Sequence, residues 1–263
     1  MRKIGEKFID NIVSKKLSKS KVLFYDSGIG GLAILDCAMK ICPSLDYYYY
    51  ADYQHMPLGG MDANKLIDCV VSEIGYLVRK FGTGVVVVAC NTATSVALSA
   101  LRERMSGVEF VGTEPATKVA FDRGYARVAL IATPNTIRFN RLVRSAKRQK
   151  GENLLLLPQS TLASLIEKNI ADLGRVRANL VRNLPPLKGK IDCLVTGCTH
   201  YTYIEAMLSG IVGVPCINGN WGVATRLKEV CRPEKVAGQV RFFTNDKSKQ
   251  KNLEVAWGIM REV

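Results

Sequence analysis

Short runs of apolar residues alternate with amphipathic stretches along the chain of 263 residues. Runs rich in β-branched and aromatic side chains, bounded by polar or glycine-containing turns, predict strands. They lie at Lys21–Tyr25, Asp46–Tyr50, Val85–Val88, Glu109–Val111, Arg127–Ala132, Leu154–Leu157, Ile191–Val195, Pro215–Ile217 and Val240–Thr244. Stretches with helical spacing of apolar residues separate these runs, and Ala63–Phe81 is the longest. Strands that alternate with helices indicate parallel βαβ units.

The same alternation starts again after residue 112, which predicts two domains. We expect an α/β fold in which two doubly wound parallel-sheet domains enclose the active site in the cleft between them. The first domain is predicted to span 21–112 plus about 221–263, because Val240–Thr244 could return to its sheet. The second is predicted to span 113–220, and residues 1–20 form a charged N-terminal extension.

Composition narrows the class of protein. No apolar run approaches the ~20 residues that a membrane span needs, and Met1–Lys21 lacks the apolar core and cleavage site of a signal peptide. The sequence therefore predicts a cytoplasmic protein without a membrane partner, in which the eight cysteines are reduced. The net charge of +14 favours anionic partners. Basic residues concentrate in Arg138–Lys150, which we interpret as one helix with a solvated face, or with a face for nucleic acid or another acidic partner.

Two cysteines have matching surroundings. Cys90 and Cys198 each follow a short apolar strand and each precede small hydroxyl or amide residues. The helix after Cys90 is predicted to begin at Ser95. Because a strand that ends in a polar turn places that turn at the carboxyl edge of its sheet, both thiols are predicted at ligand-binding edges. A thiol at a helix N-terminus has a depressed pKa, and its thiolate can act as a base or nucleophile.

Two thiols on opposite sides of a bound molecule suit proton transfer at a carbon stereocentre. One thiolate removes the α-proton from one face, and the other thiol delivers a proton to the opposite face. Such a site must stabilise the carbanion electrostatically and exclude water. Hydroxyls and backbone amides can do so around a carboxylate, so we predict neither a cofactor nor a metal. The spacing of Cys193, Cys198 and His200 lacks the short Cys pairs of a zinc site.

A glycine-rich turn, Asp26–Gly31, separates the first strand from its helix. Its backbone amides could hold a small carboxylate, or Gly30 and Gly31 could simply permit tight packing of strand and helix. A nucleotide is disfavoured, because the turn is neither G-x-G-x-x-G nor a P-loop. His200 could exchange a proton with Cys198 or the substrate, or could only satisfy its loop.

Several motifs together resemble the glutamate racemases of the cofactor-independent aspartate/glutamate racemase superfamily. The resemblance runs from about Val22 to Trp221. Its motifs are Asp26-Ser27-Gly28-x-Gly30-Gly31, Asp52 with Pro57-x-Gly59, Ala89-Cys90-Asn91-Thr92-Ala93, Thr133-x-x-Thr136, Glu167, and Gly197-Cys198-Thr199-His200-Tyr201. His200 in the last motif favours the glutamate branch over the aspartate branch.

The resemblance implies a role for each of these positions. Cys90 would deprotonate D-glutamate, with support from Asp26, and Cys198 would deprotonate L-glutamate, with support from His200 and Glu167. The substrate would be bound by Ser27, Asn91, Thr92, Thr133, Thr136 and Thr199, and by the backbone of Pro57, Leu58 and Gly59. The resemblance further implies a homodimer, a product that enters peptidoglycan synthesis, and association of some members with DNA gyrase.

The chain departs from the pattern of the glutamate racemases at Leu58, Phe139, Thr202 and Asn218, where Tyr, Ser, Pro and Asp are usual. None of these changes removes a proton-transfer residue, but they bear on rate and substrate strictness. Two alternatives remain open at this stage. One is a related racemase, isomerase or decarboxylase of another small dicarboxylate such as aspartate, and the other is a basic binding protein without catalysis.

Overall fold

A computed structural model describes residues 17–232 and 238–262, so most of the predicted extension 1–20 lies outside the described residues. The first sheet is entirely parallel and has the strand order β4-β3-β1-β2-β9. Its strands are β1 (Ser18–Asp26), β2 (Asp46–Ala51), β3 (Thr83–Val88), β4 (Glu109–Gly112) and β9 (Val240–Thr244). Successive residues of β1 alternate between two cores, with Val22 and Phe24 on one face and Leu23 and Tyr25 on the other. Helices therefore cover both faces of this sheet.

The second sheet is also parallel and has the order β6-β5-β7-β8. Its strands are β5 (Val128–Ala132), β6 (Leu154–Pro158), β7 (Cys193–Gly197) and β8 (Cys216–Ile217). The two sheets confirm the predicted fold class of two parallel-sheet α/β units. The chain leaves the first sheet after β4 and returns when β9 pairs with β2. The domain bounds near 112 and 221 stay a proposal, which this path of the chain supports.

Helices connect the strands throughout the described residues. They are α1 (Leu32–Ile41), α2 (Ala63–Phe81), α3 (Asn91–Arg104), α4 (Thr117–Asp122), α5 (Pro134–Phe139), α6 (Arg141–Lys150), α7 (Leu162–Lys168), α8 (Gly174–Asn183), α9 (Glu205–Val212), α10 (Asn220–Val230) and α11 (Gln250–Glu262). The longest, α2, begins after Asp62, whose side chain accepts hydrogen bonds from two backbone amides, and ends at Gly82 with φ of 67°. No helix within the described residues is long and apolar enough to cross a bilayer.

Two helix predictions were wrong for physical reasons. Helix α3 begins at Asn91 and not at Ser95, because the polar residues after Cys90 are buried and form its first turn. The basic stretch is not one helix. Asn140 interrupts it and caps α6, since its Oδ1 accepts from the Val143 amide at 3.0 Å. Arg138 therefore lies on α5 and is separated from the arginines of α6.

Candidate active site

The carboxyl ends of strands from both sheets meet at a pocket with about 380 Å³ of space between atoms, open solvent included. Its lining is Ser27, Met56, Pro57, Leu58, Gly59, Cys90, Asn91, Thr92, Thr133, Ser160, Ala163, Cys198, Thr199 and His200. Most predicted site residues are among them. Asp26, Thr136 and Glu167 are buried behind this lining. Sequence analysis did not identify Met56, Ser160 and Ala163, because they carry no motif.

Cys90 follows β3 and stands at the N-terminus of α3. Its thiol is buried, accepts from the Ala93 amide, and lies 3.9 Å from the Ser27 hydroxyl. Burial raises the pKa of this thiol to about 12, and the negative charge of Asp26 adds to the effect. These effects exceed the lowering that the helix N-terminus provides. Cys90 is therefore a neutral thiol at neutral pH.

Cys198 follows β7 in the second domain and is buried beside His200. Burial by itself would lower the pKa of His200, but hydrogen bonds to Cys198 and Glu167 outweigh burial and raise it well above its usual value. His200 Nε2 lies 2.8 Å from Glu167 Oε2. The Cys198 side of the pocket therefore carries an imidazolium, and the Cys90 side does not.

Glu167 lies on α7 and holds its negative charge although it is buried. Its oxygens accept from the Ile29 amide at 3.0 Å, the Tyr53 hydroxyl at 2.9 Å and Asn252 Nδ2 at 2.8 Å, besides His200. Burial raises the pKa of this carboxyl, but the hydrogen bond and charge of His200 and the other donors bring it below its usual value. Sequence reasoning missed Tyr53 and Asn252, because their role depends on contacts between residues far apart in the chain.

Asp26 ends β1 and is fully buried. Its oxygens accept from the Gly28 amide at 2.7 Å and from the Thr199 hydroxyl at 3.0 Å. Burial raises its pKa to about 6, although the positive charge of His200 opposes the rise. The side chain therefore hydrogen-bonds to the segment of Cys198, and it acts on Cys90 through its charge.

The glycine-rich turn packs against the second domain. A Cβ on Gly30 would lie 2.6 Å from the His200 backbone nitrogen, and one on Gly28 would collide with the Glu167 carboxylate. The amides of Gly28 and Ile29 already donate to Asp26 and Glu167. These amides therefore bind carboxylates of the protein itself, and the glycines permit two domains to approach, which neither of the sequence interpretations anticipated.

A cluster of threonine hydroxyls crosses the cleft. Thr92 Oγ1 of α3 lies 2.8 Å from Thr133 Oγ1, which caps α5 and lies 2.8 Å from Thr136 Oγ1. The next residue, Asn135, donates to the backbone carbonyls of Leu58 at 3.0 Å and Met61 at 2.8 Å. The second domain thus orients the Pro57–Gly59 loop. The Leu58 side chain itself is buried.

No group of three or more His, Cys, Asp or Glu side chains in residues 17–232 and 238–262 is arranged to hold a metal ion. Cys193 belongs to a different hydrophobic cluster from Cys198 and does not line the pocket. The polar groups of the pocket are thiols, hydroxyls, an amide and one imidazolium. Such a set can bind a small anion and move a proton.

Known proteins resemble this chain in sequence and in fold. Residues 63–227 match the family model described as Asp/Glu/Hydantoin racemase. The chain is 31% identical to a glutamate racemase of Halothermothrix orenii, over 92% of this chain and 100% of that protein. The crystal structure of glutamate racemase RacE1 from Bacillus anthracis has a TM-score of 0.73 and 26% identity, over 89% of this chain and 90% of the other.

A second similar structure was solved with bound ligands. Glutamate racemase of Escherichia coli, in complex with L-glutamate and the activator UDP-MurNAc-Ala, has a TM-score of 0.74 and 25% identity. That match covers 91% of this chain and 94% of the other. The sequence and the fold thus point to the same family. The chain belongs to the Asp/Glu/Hydantoin racemase family and is similar to its glutamate racemases.

Proposed function

We propose that this protein interconverts L- and D-glutamate by a cofactor-independent transfer of the α-proton between two thiols. The observation that carries the proposal is that Cys90 and Cys198, one from each domain, line the same pocket. Two acid/base groups on opposite faces are what inversion at a stereocentre requires. The similarity to glutamate racemases supports glutamate as the substrate.

The two thiols have different charged neighbours. On the Cys198 side, the raised pKa of His200 places a positive charge next to the sulfur. Burial and the charge of Asp26 keep Cys90 in its neutral form. With L-glutamate, Cys198 takes the α-proton and Cys90 gives its own to the opposite face. After that turnover the protonation of the two thiols is reversed, which prepares the site for D-glutamate.

The substrate's polar groups match the rest of the lining. Within residues 17–232 and 238–262, neither lysine nor arginine lines the pocket, so carboxylates are bound by neutral donors and by His200. Ser27, Thr92, Thr133 and Thr199 supply hydroxyls, Asn91 supplies an amide, and the Pro57–Gly59 loop supplies backbone groups. The N-terminus of α3 adds a favourable dipole for an anion. Thr136 acts behind them, by orienting Thr133.

Heavy water tests this proposal directly. Incubation with L-glutamate in D₂O and without added cofactor should give D-glutamate that carries deuterium at the α-carbon. Absence of exchange with both enantiomers would overturn the proposal. Exchange with aspartate but not glutamate would assign the chain to a different substrate in the same family.

We further propose that the protein is cytoplasmic, where its D-glutamate would supply peptidoglycan synthesis, and that it forms a homodimer, as the resemblance to glutamate racemases implies. Sedimentation equilibrium tests the homodimer, since a monomer at micromolar concentration with full activity would contradict it.

For an acidic partner such as DNA gyrase or nucleic acid, the supporting surface is the exposed arginines of α6, Arg141, Arg144 and Arg148. Binding to DNA that does not weaken with salt would contradict a role for this surface.

A further inference from the structure

The Glu167 carboxylate is divided between two sets of donors. Oε2 faces the active site and binds His200 Nε2 and the Ile29 amide. Oε1 faces away from it and binds the Tyr53 hydroxyl at 2.9 Å and Asn252 Nδ2 at 2.8 Å. Neither Tyr53 nor Asn252 lines the pocket. Tyr53 and Asn252 can therefore affect the reaction only through Glu167 and His200.

The position of one proton decides what this pair can do. Glu167 and His200 can exist as carboxylate and imidazolium, or as carboxylic acid and neutral imidazole. Only the first form places a positive charge next to Cys198. Both side chains are almost completely buried, at 7% and 2% exposure, and burial disfavours the charged form of each. The ion pair therefore depends on additional hydrogen bonds.

Hydrogen-bond donors to the Glu167 carboxylate favour the ion pair of carboxylate and imidazolium. A donated hydrogen bond stabilises an ionised carboxylate more than it stabilises a protonated carboxyl group. The Ile29 amide is one such donor, but it belongs to the backbone. Tyr53 and Asn252 are the side chains that donate to Oε1. Other titratable groups that sense this pair are Asp26, Cys198, Tyr49 and Tyr203.

We propose that Tyr53 and Asn252 are positioning residues that keep the shared proton on His200 and off Glu167. They come from distant parts of the chain: Tyr53 follows β2, and Asn252 lies in the first turn of α11, near the C-terminus. The C-terminal helix therefore completes the electrostatics of the Cys198 side. The effect of the imidazolium on Cys198 rests on the proposed function, whereas the position of the proton does not.

The chain is well suited to a spectroscopic test, because it contains two histidines, His55 and His200. Histidine labelled with ¹⁵N in both ring nitrogens gives two sets of signals, and a His55→Gln variant assigns them. In the wild-type protein at neutral pH we expect both ring nitrogens of His200 to carry protons. In Tyr53→Phe/Asn252→Ala we expect a neutral imidazole component. Each donor lost should shift the proton equilibrium roughly tenfold.

Matched controls separate position from general damage. Gln250→Ala removes an amide from the same turn of α11, where it bonds Glu254. Tyr203→Phe removes a hydroxyl, at a half-buried residue, that donates to the Ile29 carbonyl and not to Glu167. Both should leave the His200 signals unchanged. If the double variant does not fold, the single variant Asn252→Ala takes its place, because Asn252 is half-buried. The expected shift of the His200 signals is then smaller.

Activity supplies the second measurement. In Tyr53→Phe and Asn252→Ala, kcat/KM should fall roughly tenfold each while the controls keep theirs. An imidazolium that persists unchanged in the double variant overturns the inference. A wild-type protein that fails to racemise glutamate would instead overturn the proposed function, and the ring-nitrogen signals would still report where the proton lies.

Discussion

Replacing Cys198 with serine tests the division of labour between the thiols. Acid/base groups contribute typically 10²–10⁴-fold, so Cys198→Ser should lose about 10³-fold in kcat/KM, or about 4 kcal/mol of transition-state stabilisation. The two enantiomers of glutamate have equal free energy in solution. The loss of kcat/KM must therefore be the same in both directions, and racemisation alone cannot show which thiol faces which enantiomer.

A partial reaction that needs a single base resolves this. Removal of the α-proton from 3-chloroglutamate expels chloride from the β-carbon, and the resulting enamine hydrolyses to 2-oxoglutarate and ammonia. Cys198→Ser should stop this elimination for the enantiomer with the L configuration at the α-carbon and retain it for the D form. Cys90→Ser should do the reverse, because the proposed mechanism places the two thiols on opposite faces of the substrate. Chloride release and 2-oxoglutarate formation are the assays.

The control is Cys69→Ser, since Cys69 lies on α2, half-exposed and outside the pocket lining. It should racemise and eliminate as the wild type does. The two-thiol scheme is refuted by full racemisation in either active-site variant. The assignment of faces is refuted if Cys198→Ser retains elimination from the L form.

The remaining predictions concern the charge beside Cys90 and the contact between the domains. Burial raises the pKa of Cys90 most, and Asp26→Asn removes the negative charge that raises it further. Alkylation of Cys90 by iodoacetamide, followed by mass spectrometry, should therefore reach its half-maximal rate at a lower pH than in the wild type, and an unchanged pH dependence would contradict this. Gly30→Ala should destabilise the fold by about 1–3 kcal/mol in urea unfolding, because its Cβ would lie 2.6 Å from the His200 nitrogen. The control Gly210→Ala, in α9 with nothing within 4 Å, should instead stabilise by about 0.5–1 kcal/mol, and equal effects of both would refute the argument.

The motifs located most of the site because they are local. A thiol that follows an apolar strand is placed at the carboxyl edge of a parallel sheet whatever the rest of the chain does, and Cys90 and Cys198 both lie there. The break at Asn140 and the start of α3 at Asn91 could not be found in this way. Both depend on whether short polar side chains are buried, and the pattern of polar residues does not contain that information.

For the glycine-rich turn, the sequence predicted the local conformation but not the contacts. Asp26–Gly31 indicated a strand followed by a tight turn and a helix, and this is the local structure. Its partners were not predictable, since Glu167 and His200 reach it from the second domain. The contact exists only when both domains have folded and packed together.

The sequence by itself determined the two parallel-sheet units, the edge positions of the two thiols and the polar residues beside them, because strand alternation and strand-end turns are short-range properties. Only the tertiary structure decided how the thiols differ. Burial raises the pKa of Cys90, and a buried Glu167 with donors from Tyr53 and Asn252 holds a positive charge on His200 beside Cys198. Desolvation and hydrogen bonds between distant segments set these charges, and both arise only once the chain has folded.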